Sequence, residues 1–322
     1  MAKYCLRKLA QLMIVMVLIS FFSFAIIDLA PGDISSMYLT AEMTEEEQAE
    51  IIASLGLDRS MPEQYLAWAK EVLRGNFGIS LSYKTPVAPM LLRRLPSTIL
   101  LMGTSMLLSL AISIPLGLVA GYKKNTWIDN LISGFAYFGM SIPSFYFGML
   151  MIILFTATLH VLPSSGMHSV GVNTPIDTLK HMFMPVMTMA LSSLASKTRY
   201  VRANTIGQLS EEYVLAAKSK GCTPAQILRR HVLKNTLLPI ITIIGMNMAS
   251  LVCGSFIIES VFGWPGVGSF AMEAIGKRDY PVIMAYVMLS GFILVVGNFV
   301  ADILYSIADP RIKRGIDAAN GK

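Results

Sequence analysis

Apolar runs separated by short polar stretches organise this chain from end to end. A helix crosses a bilayer with about 20 mostly apolar residues. Stretches of that kind fall at residues 9–29, 98–121, 131–159, 182–196, 237–258 and 282–303. The fourth is the weakest, because Pro185 and several Ser and Thr interrupt it. The pattern predicts an all-α membrane protein with about six transmembrane helices. The first run follows Lys3, Arg7 and Lys8, as a secretory signal does. It is too long for one and lacks a small-x-small cleavage site, so it is read as a retained span.

Composition agrees. Charged residues make up only 14% of the 322, against about 25% in soluble proteins, so much of the surface faces lipid. The net charge of +6 would suit a nucleic-acid partner in a soluble protein. Here the basic residues flank apolar runs, and no basic stretch interleaves aromatics as a nucleic-acid surface does. Lys123, Lys124, Lys197, Arg199, Arg202, Lys218, Lys220, Arg229, Arg230, Arg311, Lys313 and Arg314 all fall on the side of the N-terminus. Most basic residues on the other side lie in one long loop, which weighs little in orientation. Both termini are therefore expected in the cytoplasm. The division is a first transmembrane helix over 1–30, an extracytoplasmic segment with short helices over 31–97, a five-helix core over 98–306 and a cytoplasmic tail over 307–322. Cys5, Cys222 and Cys253 are scattered without metal-site spacing, and no disulfide is expected.

Outside the membrane, Thr44 is placed to cap a helix over 44–55, with Glu45, Glu46 and Glu47 in its first turn. A second amphipathic helix is expected over 62–73. The third outer connection starts at Glu259 and runs through Trp264-Pro265-Gly266 to Asp279. Irregular backbone at membrane depth is tolerated only against protein or a water-filled cavity. Trp264, Pro265, Gly266 and Asp279 are therefore candidates for the outer mouth of a pathway; an ordinary connecting turn is the other reading. Ser141 and Pro143 should bend the third span. With Asn247 and Glu259, they are candidates to line a polar path.

On the cytoplasmic side the longest polar island lies at 211–239. Glu211 and Glu212 open a helix, Tyr213 and Val214 begin its apolar side, and Lys218 and Lys220 close it, in line with the helix dipole. Gly221 fits its C-terminus, Thr223 the next N-cap and Pro224 the first position of a second helix to residue 234. A short helix on the cytoplasmic face can enter a groove on a soluble partner. Tyr213, Val214 and Leu215 are the expected apolar anchors.

Ala216-Ala217 followed by Gly221 resembles the EAA loop of ATP-binding-cassette importer permeases. Leu215 stands where many of those permeases carry Glu, and Lys234 near where many carry Pro. Further motifs resemble one subgroup along nearly the whole chain: Pro31-Gly32-Asp33, Gly75-Asn76-Phe77-Gly78, Arg94-Leu95-Pro96-Ser97-Thr98, Ser141-Ile142-Pro143-Ser144-Phe145, Trp264-Pro265-Gly266-Val267-Gly268, Arg278-Asp279-Tyr280-Pro281 and Asp309-Pro310-Arg311. The subgroup is the dipeptide, oligopeptide and nickel permeases, and within it the first of two membrane subunits. The resemblance implies a permease of the inner membrane of a prokaryote. Its implied partners are a second homologous permease, two ATPase subunits and an extracytoplasmic solute-binding protein. The loop at 201–236 would be the coupling element, docking in a cleft of an ATPase.

The chain has no Gly-x-x-x-x-Gly-Lys-Ser/Thr phosphate loop, so ATP and Mg are expected on the ATPase partners and no cofactor on this chain. No nucleophile elbow or paired-histidine motif suggests an enzyme. His160, His168 and His181 share the outer side with Met167, Met182 and Met184, a ligand set that suits nickel. Short peptides are the expected cargo and nickel the alternative. An ATP-independent secondary transporter, which would show inverted repeats or paired intramembrane charges, is the remote one.

Overall fold

The computed structural model describes residues 2–29, 43–56, 58–237, 240 and 256–308. These residues are mostly helical; an isolated bridge joins Ile79 and Pro86. The chain divides into two units, Met1–Leu95 with Phe270–Val295, and Pro96–Ser269 with Val296–Lys322.

In the first unit, α1 (Ala2–Asp28) is long enough to cross a bilayer, and only 6% of its apolar window is buried. Met13, Ile14, Val17, Phe22 and Ile26 stand exposed along it, as a lipid-facing span requires. Helix α2 (Glu45–Leu55) begins where expected. The Thr44 hydroxyl accepts from the Glu47 backbone N–H, and the Glu47 carboxylate accepts from the Thr44 N–H. The second outer helix, α3 (Met61–Leu73), starts one residue before the expected boundary because Ser60 and Glu63 form the same reciprocal cap. Tyr65 and Trp68 of α3 pack their rings on Phe24 of α1, and the Tyr65 and Ser20 hydroxyls share a hydrogen bond of 2.9 Å. The outer segment is thus pinned to the first span by aromatic contact.

The second unit holds most of α4 (Val87–Tyr122), followed by α5 (Trp127–Ser141) and α6 (Ser144–Met151). The third apolar run is not one straight span: α5 and α6 meet at 96°. Pro143 removes a backbone donor and holds Ile142 in extended backbone, φ −93° and ψ 125°, which stops α5. Beyond α6 the helix widens to a π-helical stretch, Ile152–Thr158. The weak fourth run is the middle of α7 (Pro175–Leu209), a helix of 35 residues, about 50 Å long at 1.5 Å per residue. Its hydroxyls do not break it; the Thr188 hydroxyl, for one, donates back to the Met184 carbonyl within the helix.

Helices α4 and α7 cross closely. A Cβ on Gly117 would lie 2.5 Å from Val201 Cβ, and one on Gly121 2.6 Å from Thr205 Cβ. Small residues that admit a neighbouring backbone are how membrane helices pack without a hydrophobic drive between them. Met151, Met184, Ile258 and Phe262 form a buried cluster of the same unit.

The fifth predicted span, with Asn247 and Cys253, lies outside the described residues apart from its ends. The sixth is found within the last helix, α12 (Tyr280–Ala308). Helices α1, α4 and α12 are long and apolar enough to cross a membrane, and the α5–α6 pair makes a fourth, bent candidate. With α7 and the fifth run, this is compatible with about six spans.

Candidate coupling loop and outer turn

Helix α7 ends at Leu209, and Glu211 takes the position before α8 (Glu212–Ser219). Gly221 takes φ +76°, the left-handed conformation a side chain disfavours, and turns the chain. The Thr223 hydroxyl accepts from the Gln226 N–H and Pro224 takes the first helical position, as the sequence predicts. The second helix differs from expectation. It is α-helical over α9 (Pro224–Gln226), π-helical over Ile227–Val232 and α-helical again from residue 233. The wider turn brings Ile227 and Val232, five apart, to one buried face.

That face explains how the loop is held. Val214 and Ala217 of α8 are buried with Ile227 and Val232, against Leu118 of α4 and Leu209 of α7. Burying Val214 stabilises by about 1.5–3 kcal/mol. The Tyr213 hydroxyl donates to Gln208 Oε1 at 2.6 Å, and its ring lies against His231. Of the three expected anchors for a partner, Val214 is therefore used inside the chain, Tyr213 is half-buried, and Leu215 points outward at 61% exposure. Glu211, Glu212 and Ala216 share its exposure. An inward Val214 and Ala217 with an outward Leu215 and Ala216 is the division of a helix that grips its own chain on one face and offers the other.

One contact at this end was missed in the sequence. Arg202 of α7 donates two hydrogen bonds to Asp129 of α5, from Nε at 2.5 Å and from a terminal nitrogen at 2.7 Å. Asp129 is buried and also accepts from the Asn125 N–H. Planar two-point pairing fixes both side chains. The available signal was an acid at the mouth of an apolar run that had to find a basic partner. Lys197, buried one turn further in, donates to the hydroxyls of Ser109 and Ser193.

On the outer side, α10 (Phe256–Val261) and α11 (Val267–Gly276) are joined by the Trp-Pro-Gly turn. Glu259 is fully buried and faces into this turn, not into open space. It accepts from the Thr98 hydroxyl at 2.7 Å and the Ser269 N–H at 2.9 Å. Thr98 in turn accepts from the Val267 N–H, and the Trp264 indole donates to the Ser97 carbonyl. A Cβ on Gly266 would collide with Glu259 and Thr98, and one on Gly268 would lie 2.7 Å from Phe256 Cα. Trp264 is buried with Leu101 and Met182, whereas Pro265 is exposed.

Asp279, in the other unit, is buried and accepts from the Ser80 hydroxyl and from the Leu81 and Ser82 N–H groups. It fixes a turn of the outer segment. Ser141 and Pro143 stand exposed at the α5–α6 bend, and the Ser141 hydroxyl donates to the Tyr137 carbonyl. Asn247 lies outside the described residues.

The three outer histidines do not meet at one point. His168 and His181 both approach Asp177, at 3.9 and 3.8 Å, while His160 bonds to the Thr156 carbonyl. The Ser169 N–H and hydroxyl, and then the two histidines, hold the Asp177 carboxyl below its ordinary range. Among the described residues no three His, Cys, Asp or Glu side chains stand together as metal ligands.

Helices long and apolar enough to cross a membrane, with one short helix held against α4 and α7, suit a membrane subunit. The comparisons make this specific. Residues 113–314 match the family described as binding-protein-dependent transport system inner membrane component, and residues 1–102 match its N-terminal companion. The oligopeptide transport system permease protein AppB of Bacillus subtilis (strain 168) is 36% identical over 315 residues, covering 97% of this chain and 100% of AppB. The dipeptide transport system permease protein DppB of Escherichia coli (strain K12) is 31% identical, covering 97% and 99%. An inward-facing MetNI methionine ABC transporter shares the fold, with TM-score 0.53 and 17% identity over 68% of this chain and 96% of its own. The chain belongs to the binding-protein-dependent transport system inner membrane component family.

Proposed function

We propose that the chain is one of two related membrane subunits of an ATP-driven importer of short peptides in a prokaryotic inner membrane. The observation that carries the peptide reading is end-to-end similarity to AppB and DppB, permeases named for oligopeptides and dipeptides. Nickel is not favoured, and the engagement of His168 and His181 with Asp177 weakens the case for a metal relay. Family membership removes the ATP-independent alternative.

Two ATPase subunits carry ATP and Mg, and a solute-binding protein delivers the peptide. Helix α8 seats its outward face, with Glu212, Leu215 and Ala216, in an ATPase cleft. Gly221 with Thr223 and Pro224 sets the angle between α8 and the next segment, so the loop moves as one piece with the ATPase. Its grip on Leu118 and Leu209 passes that motion to α4 and α7, and the Arg202–Asp129 pair passes it to α5. Ser141 and Pro143 mark where α5 and α6 bend beside the path, and the Trp264–Gly266 turn braced by Glu259 holds the outer end of the bundle.

The test is uptake of labelled dipeptides, longer peptides and nickel by cells with and without this gene. Loss of peptide uptake alone is expected. Loss of nickel uptake alone would overturn the cargo, and retained uptake of all three would overturn the reading.

A further inference from the structure

We propose that the groove between α5 and the cytoplasmic half of α7 binds the headgroup of an anionic phospholipid. The groove encloses about 400 Å³ and is lined by Ser133, Tyr137 and Met140 of α5 and by Ser196, Arg199 and Arg202 of α7. Arg199 and Arg202 are three apart on a helix, so both guanidinium groups serve one face. They differ in what they meet. Arg202 is held and neutralised by Asp129. Arg199 lies over the Tyr137 ring at 4.9 Å and donates to Met140 Sδ at 3.5 Å, and no described carboxylate forms an ion pair with it. A cation at a membrane boundary calls for an anion.

The position selects which anion. Helix α5 opens at Trp127, 73% exposed, just after Lys123 and Lys124, which is the signature of a cytoplasmic interface. The cytoplasmic leaflet carries the negative lipid surface, and basic pockets between helices on that side suit acidic headgroups. The Arg199 guanidinium lies on Tyr137 and Met140, each about half exposed, so the charge is set on an apolar wall. A charge carried on an apolar wall suits an amphipathic phosphate. A free phosphate shares only the charged end.

The test uses the full chain with its co-purifying subunits in detergent, titrated with phosphatidylglycerol or phosphatidylethanolamine and read by native mass spectrometry. Phosphatidylglycerol should bind more tightly, and Arg199→Gln should weaken it by about fivefold, the share of one basic residue. Arg199→Lys should restore most of the affinity. If Arg199→Gln does not fold, Tyr137→Leu removes the ring that holds the guanidinium and should weaken binding in the same direction. Equal binding of the two lipids, or a preference unchanged in the variants, overturns the proposal. So does displacement by millimolar inorganic phosphate, which would mark a simple anion site, or by short peptides, which would place the groove on the transport path.

Discussion

The inner loop and the outer turn are both glycine-marked interruptions between apolar runs, and they are built in opposite ways. At the outer turn the polar groups point inward: Glu259, Thr98 and Ser269 satisfy one another, and Gly266 and Gly268 are required for space. At the inner loop the polar groups point outward, and Gly221 is required for its dihedral alone, since a Cβ there would meet nothing within 4 Å. A turn that fills its own interior is a brace. A loop that buries one face and exposes the other is a handle.

A side chain in place of glycine should therefore fail differently at the two places. Gly268→Val is expected to have the largest effect, because the side chain meets the Phe256 backbone, which cannot turn aside. Overpacking of this kind costs about 1–3 kcal/mol or more. The measurement is folded yield and thermal midpoint in detergent, and a wild-type midpoint would break the comparison. Gly221→Ala should cost about 1–2 kcal/mol for a side chain in left-handed backbone, with folded protein still recovered. Its transport defect should exceed its stability defect, which side-by-side midpoint and uptake measurements resolve.

Much of this was legible in the residues, and the exceptions share a cause. The caps at Thr44 and Thr223, the stop at Gly221 and the bend at Pro143 follow from chemistry within a few positions of the chain. Apolar length located α1, α4 and α12. What one sequence does not reveal is rotation: whether Val214 or Leu215 faces the chain depends on Leu118 and Leu209, and the widening after Gln226 depends on burying Ile227 with Val232. Glu259 read as a path residue because an acid near a span has many uses, and its inward aim is decided by Thr98, 161 positions away. The Arg202–Asp129 pair was missed for the same reason.

The smallest expected effect lies in the Ser169–Asp177 contact outside the membrane. Asp177 has a lowered folded-state pKa, so its contribution is present above the ordinary Asp value of about 3.9 and is lost as pH falls through the lowered value. Hydrogen exchange of residues 160–174 should be steady, apart from intrinsic chemistry, between pH 7 and 5 and rise only in stronger acid. Asp177→Asn should raise exchange at neutral pH and flatten the acid dependence. An unchanged pattern would remove Asp177 as the tie.

The central claim is that α8 is a handle whose outward face serves a partner. Leu215→Asp, placed on that face, tests it most directly in the complete transporter reconstituted in liposomes. The account predicts a wild-type thermal midpoint together with lost peptide uptake and lost association of the ATPase subunits. Normal uptake with Asp at 215 would contradict it.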